Sequence, residues 1–338
     1  GDELADYTVN YRSDGGTIRS ASVNFYGDSR SRAVKSDSQD QLSAAVNYRN
    51  YKRGSGTVQQ GDTDPLMADG TALNDTVFLQ KIESVTSVAD NFTLTDVHVT
   101  VPNPVSGGPP IPYTLTRGLR QSVTFYAGEK GDEVIDSVWS YERNGNTVLQ
   151  KSKYLYGDAN SPLTADQAVS GFDALRLVET SSAGEASNQY GQFLLSKTFY
   201  VGDSGSEVAD IAVTFAQIAV DSITGGQVIQ TLTTQSSFNY YFDDVNGNGM
   251  RDVADPKEAL HRADQAETDD LVGQIDMYDG DLSIPGTPGT ESQEVKKTTR
   301  DNFVYDDEGR MIAFRQRGSL GSFDRNDIRY DQDENIIR

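Results

Sequence analysis

One stretch of this chain occurs twice without gaps, and a chain that repeats itself must fold as copies of one supersecondary unit. Residues 11–28 read YRSDGGTIRSASVNFYGD, and residues 141–158 read YERNGNTVLQKSKYLYGD. The identical positions are Tyr11 and Tyr141, Gly15 and Gly145, Thr17 and Thr147, Ser22 and Ser152, and the Tyr-Gly-Asp of 26–28 and 156–158. This repetition constrains the architecture far more than it constrains the activity.

Each copy has the pattern of a β-hairpin. Asp14-Gly15 and Asn144-Gly145 are dipeptides that accept the positive φ of tight turns, and a β-prone run follows each of them. A Phe-Tyr or Leu-Tyr pair followed by glycine and an acid closes the second strand, and the same ending occurs at 125–129 and 199–203. The sequence therefore predicts an all-β fold of repeated antiparallel hairpins, arranged as a ribbon or as stacked sheets.

The C-terminal residues show a family resemblance. Residues 305–310 read YDDEGR and residues 330–335 read YDQDEN. This tyrosine-aspartate pattern resembles the repeat of the YD/RHS proteins, clearly over about 300–338 and in degenerate form upstream. The resemblance implies a ribbon of β-hairpins, as in bacterial toxin shells, cell-wall proteins and animal teneurins.

Charge and cysteine content exclude several classes of protein. The 338 residues include 29 basic and 51 acidic ones, a net charge of −22, and no cysteine. Nucleic acids and anionic membranes bind basic patches, so neither is an expected partner. Disulfides, thiol catalysis and cysteine-bound zinc are impossible. No apolar run reaches the length of a membrane span, so membrane insertion is not expected either.

Two loops rich in proline and glycine, at 105–112 and 283–290, predict divisions of the chain. We expect β-hairpin regions at 1–104 and 113–282, and YD-type hairpins at 291–338. The Gly1-Asp2-Glu3 start resembles neither a signal peptide nor a natural N-terminus. The chain is therefore expected to be a mature or excised portion of a longer protein.

One segment matches a twelve-residue calcium loop. Residues 244–255 read DVNGNGMRDVAD, with oxygen ligands at alternating positions and Gly249 at the sharp turn in position six. The segment resembles the loops of dockerin-like and thrombospondin-like extracellular modules. The predicted ligands are Asp244, Asn246, Asn248, the Met250 carbonyl, Asp252 and Asp255. With two neutral Asn ligands, the expected dissociation constant for Ca²⁺ is on the order of 10⁻⁴ to 10⁻³ M.

A helix is predicted after this loop, and the loop itself has an alternative interpretation. Asp255-Pro256 is a helix start, and residues 257–271 are predicted to form one short acidic helix after the loop. The alternative for the loop is an Asx-rich turn that binds nothing, because Asn and Asp favour turns in any case.

Catalytic patterns are lacking. His98 falls in an alternating strand and His261 in the predicted helix, and no G-x-S-x-G elbow, phosphate loop or dinucleotide turn is present. A glycosidase needs only two carboxylates, but nothing in the sequence singles out a pair. A non-enzymatic protein is therefore predicted.

The expected function is structural. We expect an extracellular or cell-surface protein of bacterial origin, stabilised by Ca²⁺ and self-associating or binding other surface proteins as the subunit of a fibre, filament or surface layer. Its exposed strand edges would be protected by such assembly. An adhesin or carbohydrate-binding module that recognises glycans is one alternative, and a fragment of an RHS-type toxin shell is another.

Overall fold

The computed structural model describes residues 3–12, 15–50, 73–101, 111–142, 144–158, 160–183, 193–221, 227–278, 296–305, 311–318, 321–325, 329–330 and 336–337. These residues are mostly antiparallel β-strand, which confirms the predicted fold class. The chain divides into two compact units, 1–151 and 152–338. Most of the first predicted boundary and all of the second lie outside the described residues, so the three predicted regions stay predictions.

The first unit contains a sheet in the antiparallel order β1–β2–β4–β7–β8. The bounds are β1 Tyr7–Tyr11, β2 Ile18–Tyr26, β3 Ser31–Arg32, β4 Leu42–Arg49, β5 Thr93–Val101, β6 Ile111–Gly118, β7 Arg120–Ala127 and β8 Val134–Tyr141. The short strand β3 returns along the end of β2, and a 3-10 turn at Ala33–Lys35 follows it. Strands β5 and β6 pair with each other as a separate hairpin.

A single α-helix, α1 (Asp75–Glu83), is present among the described residues. Its N-cap is Asn74, whose side chain accepts a hydrogen bond from the backbone of Thr76 at 2.9 Å. Phe78 and Ile82, one helical turn apart, are both buried. No helix in this described part is long and apolar enough to cross a bilayer.

The core of the first unit lies between α1 and one face of the sheet. Alternate residues of β2 and β4 share that face, so period-two burial places both sets in one cluster. The buried cluster comprises Ile18, Ala21, Val23, Phe25, Ala44, Val46, Tyr48, Phe78, Ile82, Val85, Leu119 and Val123. The pKa of Tyr48 is raised by burial, and its hydroxyl donates to the Asp90 carbonyl at 2.9 Å.

The second unit is a longer meander in the order β9–β11–β12–β13–β14–β16–β17–β18–β19. The bounds are β9 Val148–Asp158, β10 Ser161–Thr164, β11 Leu175–Ser182, β12 Leu194–Val201, β13 Val208–Asp221, β14 Gln227–Phe242, β15 His261–Arg262, β16 Leu271–Tyr278, β17 Lys296–Tyr305, β18 Met311–Gly318, β19 Gly321–Arg325, β20 Arg329–Tyr330 and β21 Ile336–Ile337. Strand β9 begins before the division at residue 151 and continues beyond it. Two short strands return along longer ones, β10 on β9 and β15 on β14.

The described residues of the two turns matched in the sequence make the same backbone hydrogen bonds. In the first, the amide of Arg12 donates to the Thr17 carbonyl at 2.8 Å, and the amide of Gly15 donates to the Arg12 carbonyl at 2.8 Å. In the second, Glu142, Thr147 and Gly145 make the same two bonds at the same distances. Gly15 and Gly145 each have φ of 67°, a value that favours glycine. The predicted correspondence is therefore confirmed at these turns.

The structure also reveals a third repeat. Glu207-Val208-Ala209-Asp210 opens it, as Glu3-Leu4-Ala5-Asp6 opens the first and Glu133-Val134-Ile135-Asp136 opens the second. The leading strands of the three repeats are thus β1, β8 and β13, and their second strands are β2, β9 and β14. The return strands β3, β10 and β15 occupy matching places.

Side-chain bonds of the first and third repeats match one for one. Asn24 and Tyr26 both donate to the Ala5 carbonyl, at 2.9 and 2.8 Å. Asn239 and Tyr241 both donate to the Ala209 carbonyl. An ion pair also recurs, Arg32 with Asp6 and Arg262 with Asp210, joining the return strand to the start of the leading strand. The first and third repeats are therefore each closed by a tyrosine hydroxyl, an asparagine amide and an arginine that act on the start of the leading strand.

The predicted helix over 257–271 is wrong. A 3-10 turn at Pro256–Glu258 ends at Ala259, which is extended, and β15 then pairs with β14. A second 3-10 turn, Ala263–Gln265, precedes β16. The helix does not form because His261 and Arg262 are held in the sheet as the third return strand, and this pairing outweighs the local helix signal. The one helix of the described chain lies instead at Asp75–Glu83.

The buried tyrosines predict loss of stability at alkaline pH. Burial raises the pKa of Tyr26 and of Tyr241 above the ordinary value of 10.0. The unfolded chain would ionise from about pH 10 while the fold keeps these hydroxyls neutral. Their contribution is therefore full below pH 10 and falls as the pH rises through the higher folded pKa. Melting temperatures from pH 8 to 11.5 should decline only above about pH 10; a flat profile would contradict this.

Candidate functional site

The calcium-type segment is an insertion in the third repeat. In the first repeat, residues 27–30 connect β2 to the return strand β3. In the third repeat, residues 243–260 make the same connection between β14 and β15. The pairing beyond the connection is preserved, since Tyr26 faces Ser31 as Tyr241 faces His261. The segment is thus an addition to a unit that closes without it.

Glycine sets the curvature of this loop. Gly247 and Gly249 have φ of 66° and 70°, in the left-handed region. A Cβ on Gly249 would lie 2.5 Å from the carbonyl oxygen of Tyr305. Gly249 is therefore required both for its backbone conformation and for close approach to β17.

Side-chain oxygens line the inside of the curve. The Asp244 carboxylate accepts from the amides of Asn248 at 3.2 Å and Gly249 at 2.7 Å. Asn246 Oδ1 accepts from the amide of Asn248 at 3.0 Å, and Asn248 Oδ1 accepts from that of Met250 at 2.8 Å. Three of the predicted ligands are therefore brought together in one turn by bonds to the loop's own backbone.

The other predicted ligands are placed differently. Asp252 Oδ1 accepts from the amide of Ala254 at 2.9 Å, within the following turn. Asp255 Oδ1 accepts from the amide of Lys257 at 2.9 Å, which caps the 3-10 turn. Asp255 therefore serves the turn that leaves the loop. The side chain of Met250 is exposed.

Glu258, which the match to the twelve-residue motif did not include, is the buried acidic residue of the loop. Its side chain is fully buried and accepts from Asn246 Nδ2 at 2.9 Å and from the amide of Asp252. The Arg251 guanidinium donates to the Glu258 carbonyl at 2.8 Å. The twelve-residue spacing of calcium loops selects Asp255 as the last ligand. Glu258 lies three residues later, and its longer side chain reaches back to the loop. The sequence signal that could have identified Glu258 is a glutamate two residues after Pro256, in the 3-10 turn that follows the loop.

The loop is attached to β17 at its centre. The amide of Tyr305 donates to the Gly249 carbonyl at 2.9 Å, and Met250 forms an antiparallel bridge with Val304. The Tyr305 hydroxyl donates to the Val272 carbonyl at 2.8 Å. The loop therefore joins the end of β14 to the strand that leads into the first predicted YD hairpin.

These donors fit a hard divalent cation. Carboxylate, amide and backbone oxygens are the ligands that Ca²⁺ prefers, and it takes six to eight of them. Asp244, Asn246, Asn248 and Glu258 supply such atoms within one short loop. No group of three or more Asp, Glu or His side chains is preassembled for a metal within the described ranges. Calcium binding stays a prediction, in which the carboxylates would exchange amide bonds for the ion.

The histidines are accounted for separately. His261 Nε2 lies 2.8 Å from Asp270 Oδ2, and its Nδ1 lies 3.2 Å from the Ala259 carbonyl. These contacts fix the end of the insertion against the loop that precedes β16. His98 belongs to β5, and its side chain lies outside the described part of the chain.

Comparisons with known proteins assign no family. No family model matches the chain, and no curated protein matches it significantly. One solved structure it is similar to is a Tc holotoxin pore of Photorhabdus luminescens, with 10% sequence identity and a TM-score of 0.17. The match covers 98% of this chain and 13% of that one. At this TM-score the similarity establishes neither a shared fold nor a shared function.

We predict that Glu258 matters more for calcium affinity than Asp255. Glu258→Gln removes the buried charge from the loop and should weaken calcium binding about tenfold or more, the equivalent of about 1.4 kcal/mol. Asp255→Asn, which retains an acceptor for the Lys257 amide, should change the affinity by less than about threefold. Isothermal titration calorimetry measures both, and melting curves without calcium check the fold. The reverse ranking would restore the twelve-residue assignment.

Proposed function

We propose that this chain is a non-enzymatic structural protein of the bacterial cell exterior, a subunit of a fibre, filament or surface layer that Ca²⁺ stabilises. The insertion of residues 243–260 carries this proposal. The first repeat closes the same connection with residues 27–30, so closure of the repeat does not call for the longer loop. Binding of a cation by these residues would explain why the longer, oxygen-rich loop is present between β14 and β15.

The attachment of the loop explains what the ion would do. Asp244 and Glu258 bring two carboxylates into one loop of a chain whose net charge is −22. A divalent cation would offset their repulsion and fix the backbone that pairs with Val304 and Tyr305. Calcium would thereby stiffen the junction between β14 and β17.

We further propose that β17 and β18 are a YD-type hairpin. They pair antiparallel, and Tyr305 faces Met311 across the hairpin. The turn residues 306–310 and most of the second candidate repeat, 331–335, lie outside the described residues. The ladder on both sides of the turn supports the hairpin, and the sequence pattern supports its type.

Calcium should raise the melting temperature. With a dissociation constant of about 10⁻⁴ to 10⁻³ M, about 1 mM Ca²⁺ stabilises by roughly 0.4–1.4 kcal/mol. The expected shift is about 1–5 °C. Asp244→Asn should abolish most of this shift, because Asp244 closes the loop around Asn248 and Gly249. Differential scanning calorimetry with calcium, with a chelator and with magnesium provides the measurement.

Asp28→Asn is the matched control for that variant. Asp28 is an exposed acid in the corresponding connection of the first repeat, where the insertion is lacking. Its replacement should leave the calcium shift intact. Equal loss of the shift in both variants would mean that calcium acts through general charge screening, and the proposed loop site would be wrong.

A further inference from the structure

A cleft lies between the insertion of the third repeat and the strands beside it. Its volume is about 560 Å³, within the range of about 300–1,000 Å³ that is usual for small-ligand sites. One wall is formed by Met250, Arg251 and Val253 of the insertion, and the rest of the described lining comes from β16, β17 and β18. The insertion therefore adds a cavity to the third repeat as well as a loop.

The cleft carries positive charge in an acidic chain. Its described lining includes the guanidinium groups of Arg251, Arg315 and Arg317, and the carboxylate of Asp301. Three positive charges thus accompany one negative charge, in a chain whose net charge is −22. This local excess of positive charge favours an anionic ligand.

Asp301 orients two of the arginines without occupying them fully. Its side chain is buried, its Oδ1 accepts from Arg315 Nε at 3.0 Å, and its Oδ2 accepts from Arg317 Nη2. Within the described chain each of these guanidinium groups thus bonds through one nitrogen. The nitrogens that remain are available to a ligand, and the planar fork of arginine matches the two oxygens of a carboxylate.

Arg251 adds a guanidinium group from the opposite wall. Its Nε donates to the backbone carbonyl of Glu258 at 2.8 Å, so its positive charge is bonded to a neutral group. A cluster that only stabilised the fold would be expected to match guanidinium groups with carboxylates, because an unmatched charge is costly in a partly buried place. The arginines of this cleft exceed the acid that its described lining provides.

A β-bulge places an amide in the same cleft. Two residues of β17, Asn302 and Phe303, oppose one residue of β18, and Asn302 has φ of 54°, a left-handed value that is uncommon outside glycine. Asn302 is exposed and lines the cleft, as does Gln274, which lies opposite Asp301. Gln274 donates its Nε2 to Asp276 at 3.1 Å and retains its side-chain oxygen as an acceptor. Such amides bond hydroxyl groups as donors and as acceptors.

We propose that this cleft binds a carboxylated sugar of the uronic-acid type. Arg315 and Arg317 would bind the carboxylate, Arg251 would add its charge from the other wall, and Asn302 and Gln274 would bond the ring hydroxyls. An acidic peptide side chain would use the arginines but leave the amides without a partner, so the sugar is favoured. The inference goes beyond the proposed structural function and does not depend on it, since the three arginines are not candidate calcium ligands.

Arg317→Gln tests the carboxylate contact. The Arg317 side chain is 54% exposed, so the fold should be retained, and D-glucuronate should bind about tenfold more weakly. Lys153→Gln is the matched control, because Lys153 is an exposed cation of β9 outside the cleft and its replacement removes the same charge. It should change the affinity by less than about twofold. Isothermal titration calorimetry at constant calcium and ionic strength measures both, and melting curves check the fold. Equal weakening in the two variants would overturn the site, because binding would then follow net charge.

A comparison of ligands tests the hydroxyl contacts. The parent protein should bind D-glucuronate about tenfold more tightly than D-glucose, which lacks the carboxylate, and than acetate, which lacks the ring. Asn302→Gly keeps the backbone conformation, since glycine accepts positive φ, and should weaken the binding of glucuronate but not of acetate. Equal affinity for acetate and glucuronate would overturn the sugar assignment and indicate an acidic protein side chain instead. A parent protein that binds none of these acids would overturn the cleft as a binding site.

Discussion

Backbone pairing along strand edges is the interaction on which the rest of this structure depends. Each long strand of a meander is stable only if its edges are satisfied, and the repeats achieve this by supplying strands in a fixed order. In the first and third repeats, side chains then fix the start of the leading strand: Tyr26 and Arg32 in the first, Tyr241 and Arg262 in the third. Because the strands are held in this way, a connection between two of them can be longer without changing how the strands pair.

The hairpins could be predicted because their signals are local. A glycine at positive φ after Asp or Asn has few alternatives to a turn, and Gly15 and Gly145 adopt the same φ. The third repeat could not be predicted from such local signals. Phe242 replaces the glycine of Tyr-Gly-Asp, and the insertion separates Tyr241 from its return strand. Only the pairing of Tyr241 with His261 restores the register.

The candidate site was predicted in part for a similar reason. Alternating Asp and Asn before Gly249 specify a curled loop, and the structure forms it. The closing acid depends on where the chain goes next, which sequence spacing does not record. The 3-10 turn assigns Asp255 to a cap and brings Glu258 into the loop. The failed helix over 257–271 has the same origin, since sheet pairing decides the conformation there.

The central proposal is that the insertion in the third repeat binds Ca²⁺. A crystal structure determined in the presence of calcium tests this proposal most directly. The account predicts one ion within residues 244–258, with Glu258 and Asp244 oxygens among its ligands at about 2.3–2.6 Å. Anomalous scattering from a lanthanide substitute would locate the same position. A loop without an ion at millimolar calcium, with Glu258 still bonded to the amide of Asp252, would contradict it.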